Sequence, residues 1–194
     1  MGYSKEHIAE TRRLILDEAG RLMRKHGYGG VSVAKIMSAA GLTHGGFYAH
    51  FKSKEELFDA ILREDFDFTN QLRRLSALAP SEGTSAAVAA RYYLDPNNAD
   101  KVAPACTLAS SSQDVARGRR KTRAAFTKSF RALLEEFEQG MGEPTKNAER
   151  RPDALAALAT CVGGLVIARA LSDKPLVEEL LRACQDSVAD TLST

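Results

Sequence analysis

The sequence predicts an all-α protein that has an N-terminal three-helix helix-turn-helix domain and a C-terminal helical bundle. Three observations predict this fold class. Alanine and leucine dominate, and β-branched residues rarely alternate with polar ones, so strand signals are weak. Apolar residues recur at helical spacing between glycine and proline breaks. Residues 32–51 have the spacing of two short helices joined by a glycine-containing turn.

Length and composition exclude several classes of protein. The chain has 194 residues, of which 44% are hydrophobic and 27% are charged, so it can bury a core and is not a disordered tail. A net charge of +2 excludes a wholly basic nucleic-acid coat. No apolar run approaches the about 20 residues of a membrane span, and the first residues lack a secretory signal. We therefore expect a cytoplasmic protein with no membrane partner.

The spacing of the cysteines and histidines does not match a known metal-binding or catalytic pattern. Three cysteines without a C-x-x-C pair argue against a disulfide scaffold and a structural zinc site, so no metal or cofactor is expected. After residue 50 there is no histidine, and neither H-E-x-x-H nor paired E-x-x-H occurs. We therefore predict no catalytic residues and no enzymatic activity. A helical adaptor for protein partners remains an alternative, and salt-dependent binding to duplex DNA would separate it from a DNA-binding protein.

Each predicted helix has its own start and stop signals. The first extends over about residues 5–26, with Gly27 as its C-terminal glycine. Its inward face is expected to hold Ile8, Ile15, Ala19, Leu22 and Met23. Ser32 and Thr43 are expected to cap two short helices, and Ser53 a long helix that reaches about residue 78. The remaining helices are predicted over 84–94, 106–116, 119–140, 152–172 and 175–192.

The domain boundary is expected where the long helix begins, which divides the chain into residues 1–52 and 53–194. Charge is distributed unevenly across this boundary. Residues 1–54 carry nine basic and four acidic side chains, and no acid occurs between Glu18 and Glu55. An acid-free segment beside a mildly acidic remainder suggests a polyanion-binding end, although a chance fluctuation is the alternative.

Within the helix-turn-helix, Ile36, Leu42 and Phe47 are suited to pack inward. The opposite face is polar and has no acid, as a helix that enters the major groove requires. That face comprises Thr43, His44, Gly45, Gly46, Tyr48 and His50. Two adjacent glycines cost a helix about 1 kcal/mol each relative to alanine, and a bare strip that lets the backbone approach DNA would compensate. Alternatively, Gly45 and Gly46 form a loop and the helix starts later.

Several segments carry a family resemblance: TRRLILDEA (11–19), GY (27–28), SV (32–33), Ile36, AGLT (40–43) and FYAHFKSKEEL (47–57). Together they resemble the N-terminal domain of TetR/AcrR-family transcriptional repressors. The resemblance implies a homodimer that binds a palindromic double-stranded DNA operator and releases it when a small-molecule effector enters the C-terminal domain. Implied phosphate contacts are Ser32, Thr43, Tyr48, His50 and Lys54, and implied base-facing positions are His44, Gly45 and Gly46. Gly46 departs from the Thr, Ser or Ala of many members, so DNA shape is expected to carry part of the specificity.

The segments TLAS (107–110), DVAR (114–117) and VGGLVIARA (162–170) resemble the same branch of the family. The resemblance implies that the last two helices pair with their copies in a four-helix dimer interface. The small apolar residues of 154–171 independently favour close helix approach, although a central helix of a monomeric bundle is the alternative. Expected interface residues are Ala156, Ala159, Gly163, Gly164, Ile167, Leu180 and Leu181.

A ligand cavity is expected between the long helix from Ser53 and the helices that precede the dimer pair. Its candidate lining residues are Phe68, Leu72, Tyr92, Tyr93, Cys106, Phe126 and Phe130, and the alternative is that they are core residues. Cys106 lies at a predicted helix start, where a thiol pKa can be lowered. A second hypothesis is therefore a thiol-sensing regulator of the same fold that acts through Cys106.

Overall fold

A computed structural model of the chain describes residues 4–64, 83–97, 106–142 and 150–193. These residues contain α-helices, one 3₁₀ helix and no strand, which confirms the predicted all-α class. The helices are α1 (Lys5–His26), α2 (Val33–Ala39), the 3₁₀ helix (His44–Ala49), α3 (Lys54–Glu64), α4 (Ser85–Leu94), α5 (Thr107–Ala116), α6 (Arg120–Gly140), α7 (Arg150–Ala170) and α8 (Lys174–Ser193).

The chain divides into two compact units. The first unit comprises Met1–Asp65 and Ser110–Ser129, and the second comprises Phe66–Ala109 and Phe130–Thr194. This division differs from the boundary expected between residues 52 and 53, because α3 and residues 110–129 pack with the N-terminal helices. The assignment of DNA binding to residues 1–52 and of ligand binding and dimerisation to residues 53–194 remains a prediction.

The first unit is built around α1. The hydroxyl of Ser4 accepts a hydrogen bond from the His7 N–H (3.2 Å), and Gly27 ends the helix with a φ of 72°. The core combines α1, α2, the 3₁₀ helix and α3, and its members include Ile15, Ile36, Phe47 and Leu57, all 0% exposed.

Ile8 was expected on the buried face of α1, and that expectation is wrong. The side chain is 46% exposed, and residues 4–10 are all exposed. The first turns of α1 therefore extend beyond the core of the first unit, and none of the described elements covers their apolar side.

Polar contacts attach α3 to the neighbouring helix α6. Ser53 caps α3, since its hydroxyl accepts a hydrogen bond from the Glu56 N–H (3.1 Å). Thr122 donates to the buried carboxylate of Asp59 (2.7 Å), and Ser129 donates to the carbonyl of Leu62 (2.7 Å). The predicted extension of this helix to about residue 78 lies outside the described residues.

The second unit packs α4, α7 and α8 against the C-terminal part of α6. Leu94, Phe137, Leu165 and Leu181 are among its fully buried side chains. α7 is long and apolar enough to cross a membrane, contrary to the sequence-based expectation, but the core helix of a globular protein passes the same test. Seven residues of α7 are buried in the unit, so one side of this helix packs on its core.

Candidate nucleic-acid interface

The helix-turn-helix is formed by α2, a tight turn and the 3₁₀ helix. Gly41 adopts a φ of 69°, a left-handed conformation that side chains disfavour. The Leu42 N–H then donates to the Met37 carbonyl (2.8 Å), which reverses the chain.

The second helix of the motif is 3₁₀ rather than α-helical. The Gly46 N–H bonds to the carbonyl of Thr43 (3.1 Å), and the His50 N–H bonds to that of Phe47 (2.9 Å), both three residues back. Thr43 occupies the N-cap position, but its side chain makes no cap hydrogen bond there, contrary to the prediction. Two consecutive glycines have low α-helical propensity, which favours the short, tight helix.

The 3₁₀ helix separates buried from exposed side chains as predicted. Phe47 is fully buried, and Leu42 packs on the same core. Tyr48 is 61% exposed, which excludes the alternative that it is a core aromatic. Its ring makes edge contacts with Phe47 (5.3 Å between centroids) and with the exposed His44 (6.2 Å), so the outward tyrosine is held by its neighbours.

The two glycines of the 3₁₀ helix have different surroundings. A Cβ at Gly45 would meet nothing within 4 Å, whereas a Cβ at Gly46 would make ordinary contacts with Thr43 and Met37. Packing within the first unit therefore does not require glycine at position 45. The open space is consistent with the predicted close approach of a partner surface.

His50 is less exposed than the other predicted DNA contacts. Its carbonyl accepts a hydrogen bond from Arg12 Nη1 (3.0 Å), and the same guanidinium lies 4.0 Å from the centroid of the Phe51 ring. Burial, reinforced by the charges of Arg12 and His7, lowers the pKa of His50 below its usual value of 6.5. We therefore expect a neutral imidazole at pH 7, which could donate a hydrogen bond to a phosphate but would not supply a charge.

Ser32 and Lys54 are the first and the last of the predicted DNA contacts in the sequence. The Ser32 hydroxyl accepts a hydrogen bond from the Lys35 N–H (3.1 Å) and keeps its own proton for another acceptor. The Lys54 ammonium lies 4.1 Å from the centroid of the Tyr28 ring, and burial lowers its pKa. A phosphate contact by Lys54 would therefore require the ammonium to leave this ring or to bind at its edge.

In the second unit, three candidate ligand residues come together. Tyr92, Tyr93 and Cys106 surround Leu165, and the Tyr93 hydroxyl bonds to the Cys106 sulfur (2.8 Å). Phe130 packs on another core cluster of this unit, and Phe126 on the core of the first unit. Phe68 and Leu72 lie outside the described residues.

The expectation of a lowered thiol pKa at Cys106 is wrong. Burial raises its pKa, although the Tyr93 hydroxyl and the N–H groups of Ala109 and Leu108 act in the opposite direction. The position at the start of α5 does favour the thiolate, but it does so less than burial disfavours it. Within the described ranges, no group of three or more His, Cys, Asp or Glu residues could hold a metal ion.

Some of the predicted interface residues of α7 and α8 lie on the outer surface of the second unit, and others lie in its core. Ala156, Ala159 and Ile167 are exposed, and Gly163 has open space where a Cβ would lie. Gly164 and Leu181 face the core instead, since a Cβ at Gly164 would lie 2.8 Å from the Cys184 sulfur and Leu181 is 0% exposed. These two residues are therefore buried within the unit and do not belong to its outer surface.

The outward face of these helices also holds apolar residues that the sequence analysis missed. Leu155, Val166 and Leu176 are 40–44% exposed, and Leu180 is half-buried. Leu155 lies four residues before Ala159, and Val166 lies three residues after Gly163, so both lie on the same side of α7 as these two residues. This helical spacing is the signal that could have identified them. We call the set formed by Leu155, Ala156, Ala159, Gly163, Val166, Ile167, Leu176 and Leu180 the outer apolar face.

Comparison with known proteins finds a family whose profile matches the segment that carries the helix-turn-helix. Residues 15–61 match the profile of the tetR family of bacterial regulatory proteins. The HTH-type transcriptional repressor Rv1474c of Mycobacterium tuberculosis (strain ATCC 25618 / H37Rv) is 38% identical over 80 residues, which are 41% of this chain and 40% of that protein. The chain thus spans about two fifths of that relative, over a segment that includes the helix-turn-helix.

Solved structures extend the likeness to the fold of nearly the whole chain. The reduced form of E. coli NemR has a TM-score of 0.73 at 22% identity and covers 93% of this chain and 96% of its own. AibR, solved with isovaleryl coenzyme A and operator DNA, has a TM-score of 0.60 at 17% identity and covers 93% and 97%.

The fold and the exposed helix-turn-helix resemble those of helical DNA-binding transcription regulators. More particularly, residues 15–61, which carry this motif, match the tetR family of bacterial regulatory proteins.

Proposed function

We propose that this protein is a homodimeric transcriptional repressor that binds a palindromic operator and releases it when a small molecule binds the second unit. The observation that carries the proposal is the 3₁₀ helix His44–Ala49, which buries Phe47 and exposes His44, Gly45 and Tyr48. This surface belongs to a segment that has no acidic side chain between Glu18 and Glu55. It therefore attracts phosphate and can approach base edges.

Two such surfaces are needed to read a palindrome. The outer apolar face on α7 and α8 supplies a contact through which two copies can pair, because exposed apolar side chains of this extent mark interaction surfaces. Gly163 supports close packing, since it leaves open space for a partner helix. In a two-fold dimer the two 3₁₀ helices would enter successive major grooves about 34–36 Å apart.

Release by an effector follows from a two-state arrangement of this dimer. A ligand that binds more tightly to the dimer arrangement that does not fit the operator increases the population of that arrangement. The protein then dissociates from the operator. The family resemblance and the isovaleryl coenzyme A bound in AibR support a small-molecule effector. Tyr92, Tyr93 and Cys106, which meet at the start of α5, are the described residues that we assign to its binding. Displacement of α3 by the ligand would then alter the spacing of the two helix-turn-helix motifs.

The relative Rv1474c is named as a transcriptional repressor, which supports a non-enzymatic role on DNA and hence a place in the cytoplasm. The thiol-sensing alternative loses support from the raised pKa of Cys106. Replacing Cys106 with serine would decide it, because only a thiol sensor would lose an oxidant response while it kept its DNA binding.

The proposed function is tested by selecting bound duplexes from random DNA and repeating the selection with candidate effectors. We expect one enriched palindrome and a Kd that rises steeply with salt. Tyr48→Ala and His44→Ala should each weaken binding to that palindrome by about tenfold, since good contacts to DNA contribute roughly 1–3 kcal/mol each. Gln113→Ala, at an exposed and uncharged position of α5, is the control and should bind as the unmodified protein does. A protein that ignores every duplex at low salt would favour the adaptor alternative.

A further inference from the structure

The loop between α1 and α2 has few side chains to hold it. Glycines occupy positions 27, 29 and 30. Two side chains of the loop reach the core of the first unit: Val31 is 1% exposed, and the Tyr28 ring lies 4.9 Å from that of Phe58. A loop so rich in glycine has high conformational freedom, so each remaining attachment has a large effect on its position.

Asp114 supplies an attachment from another helix. The backbone N–H of Tyr28 donates to Asp114 Oδ2 at 2.8 Å, across 86 residues of sequence. The same oxygen lies 3.5 Å from the place where a Cβ at Gly27 would be, so the carboxylate sits directly against the end of α1. Asp114 belongs to the part of α5 that is counted with the first unit.

The start of α3 lies within electrostatic reach of the same carboxylate. The Lys54 ammonium lies over the Tyr28 ring, and the negative charges of Glu55 and Asp114 favour its charged form against the effect of burial. Asp114 thus lies against the end of α1 and accepts a hydrogen bond from the loop, and its negative charge acts on Lys54, the first residue of α3. None of the eight predicted DNA contacts includes this position.

At its other end, α1 is attached to the helix-turn-helix by the Arg12 contacts with the carbonyl of His50 and the ring of Phe51. Residues 12–27 of an α-helix span roughly 22 Å. A helix is stiff over this length, so a shift of the loop end of α1 moves the end that holds His50. In addition to the packing of Phe47 in the shared core, the position of the 3₁₀ helix relative to α1 depends on polar contacts near both ends of α1, one of which involves Asp114.

From this arrangement we propose that Asp114 is a positioning residue for DNA recognition: it holds the Tyr28 N–H and thereby fixes the helix-turn-helix in the arrangement that fits the operator. The proposal rests on the proposed function, since it presupposes an operator. Asp114 acts through α1 and the loop and does not touch DNA.

The test compares Asp114→Ala and Asp114→Asn with Gln113→Ala, an exposed neighbour on α5. For each variant, Kd is measured for the selected operator and for an unrelated duplex of equal length at one salt concentration. Asp114→Ala should weaken operator binding by about tenfold, because a half-buried N–H loses its partner. Its binding to the unrelated duplex should stay the same or tighten slightly, since an acid is lost. Asp114→Asn keeps an accepting oxygen and should retain the ratio of the two Kd values within about threefold, as should Gln113→Ala.

An unchanged ratio in Asp114→Ala would overturn the proposal. So would an equal loss in Asp114→Asn, because charge rather than the hydrogen bond would then be responsible. If Asp114→Ala does not fold, Asp114→Glu replaces it: a longer carboxylate displaces the loop and should lower the ratio, whereas an unchanged ratio contradicts the proposal. Failure of the unmodified protein to bind any duplex would instead refute the proposed function.

Discussion

Phe47 and Tyr48 are neighbours in the chain and have opposite surroundings. Phe47 is 0% exposed in the core of the first unit, and Tyr48 is 61% exposed on the outside of the same 3₁₀ helix. One aromatic ring therefore contributes to the free energy of folding, and the other is free to contact a partner.

We expect Phe47→Ala to lower the free energy of unfolding by about 3–5 kcal/mol, because it leaves a cavity in a packed core. Tyr48→Ala is the matched control and should change it by less than about 0.5 kcal/mol. Urea unfolding followed by circular dichroism measures both. Similar losses in the two variants would contradict the buried and exposed assignments.

His50 gives the first unit a specific pH dependence. Its pKa is lowered in the folded state, so between pH 6.5 and the folded pKa the unfolded chain binds more protons than the folded one. The stability that the neutral imidazole supports is present above pH 6.5 and is lost as the pH falls through the folded pKa.

We therefore expect His50→Gln to reduce the difference in unfolding free energy between pH 7.5 and pH 5, measured by urea unfolding at each pH. His44→Gln, at an exposed histidine of the same 3₁₀ helix, is the control and should leave that difference as it is in the unmodified protein. An unchanged difference in His50→Gln would show that other groups cause the pH dependence.

At the scale of elements, the 3₁₀ helix is short because its sequence places two glycines in its first turn. Its stability comes from Phe47 in the core and from the Arg12 contacts at its end rather than from helical propensity. Space at Gly45 is open within the first unit, whereas a Cβ at Gly30 would lie 2.3 Å from the His26 carbonyl oxygen.

These surroundings predict opposite results for two glycine substitutions. Gly45→Ala should leave the melting temperature unchanged or raise it, since alanine stabilises helical backbone by up to about 1 kcal/mol, but it should weaken operator binding because the added methyl group keeps the backbone from DNA. Gly30→Ala should lower the melting temperature, since a backbone atom stands in its way. Operator binding by Gly45→Ala as tight as that of the unmodified protein would show that the bare strip is unnecessary.

At the scale of the whole molecule, the outer apolar face is the feature on which dimerisation depends. Ile167 is its most exposed large side chain, at 51%. Helices α7 and α8 pack on each other through their opposite sides, so none of the residues that the structure describes covers the outer apolar face.

We expect Ile167→Asp to weaken dimerisation by at least about tenfold, because an unpaired charge at an apolar contact costs several kcal/mol. Ala132→Asp, at an exposed position of α6, is the control and should leave the association unchanged. Sedimentation equilibrium measures both. A monomeric unmodified protein at micromolar concentration, or an Ile167→Asp protein that associates as before, would contradict the assignment.

The sequence by itself determined where most of the described helices begin and end, with the exception of the end of α3. The bounds of α1 and the positions of α4 to α8 follow from caps, glycines and prolines, because these signals act through backbone dihedrals and hydrogen bonds within about four residues. The helix-turn-helix was predictable for the same reason. Its 3₁₀ form and the uncapped Thr43 were not, since two glycines leave the choice of helix type to the surrounding packing.

Only the tertiary structure decided which of several small or apolar residues on one helix are covered. Gly163 and Gly164 are the same residue type, but only Gly164 packs against the Cys184 sulfur on the inner side of α7. The pKa of Cys106 is set by burial with Tyr93 rather than by the helix start that it occupies. Asp114 reaches Tyr28 across 86 residues. Burial and such contacts depend on residues that are distant in the chain, so no local pattern records them.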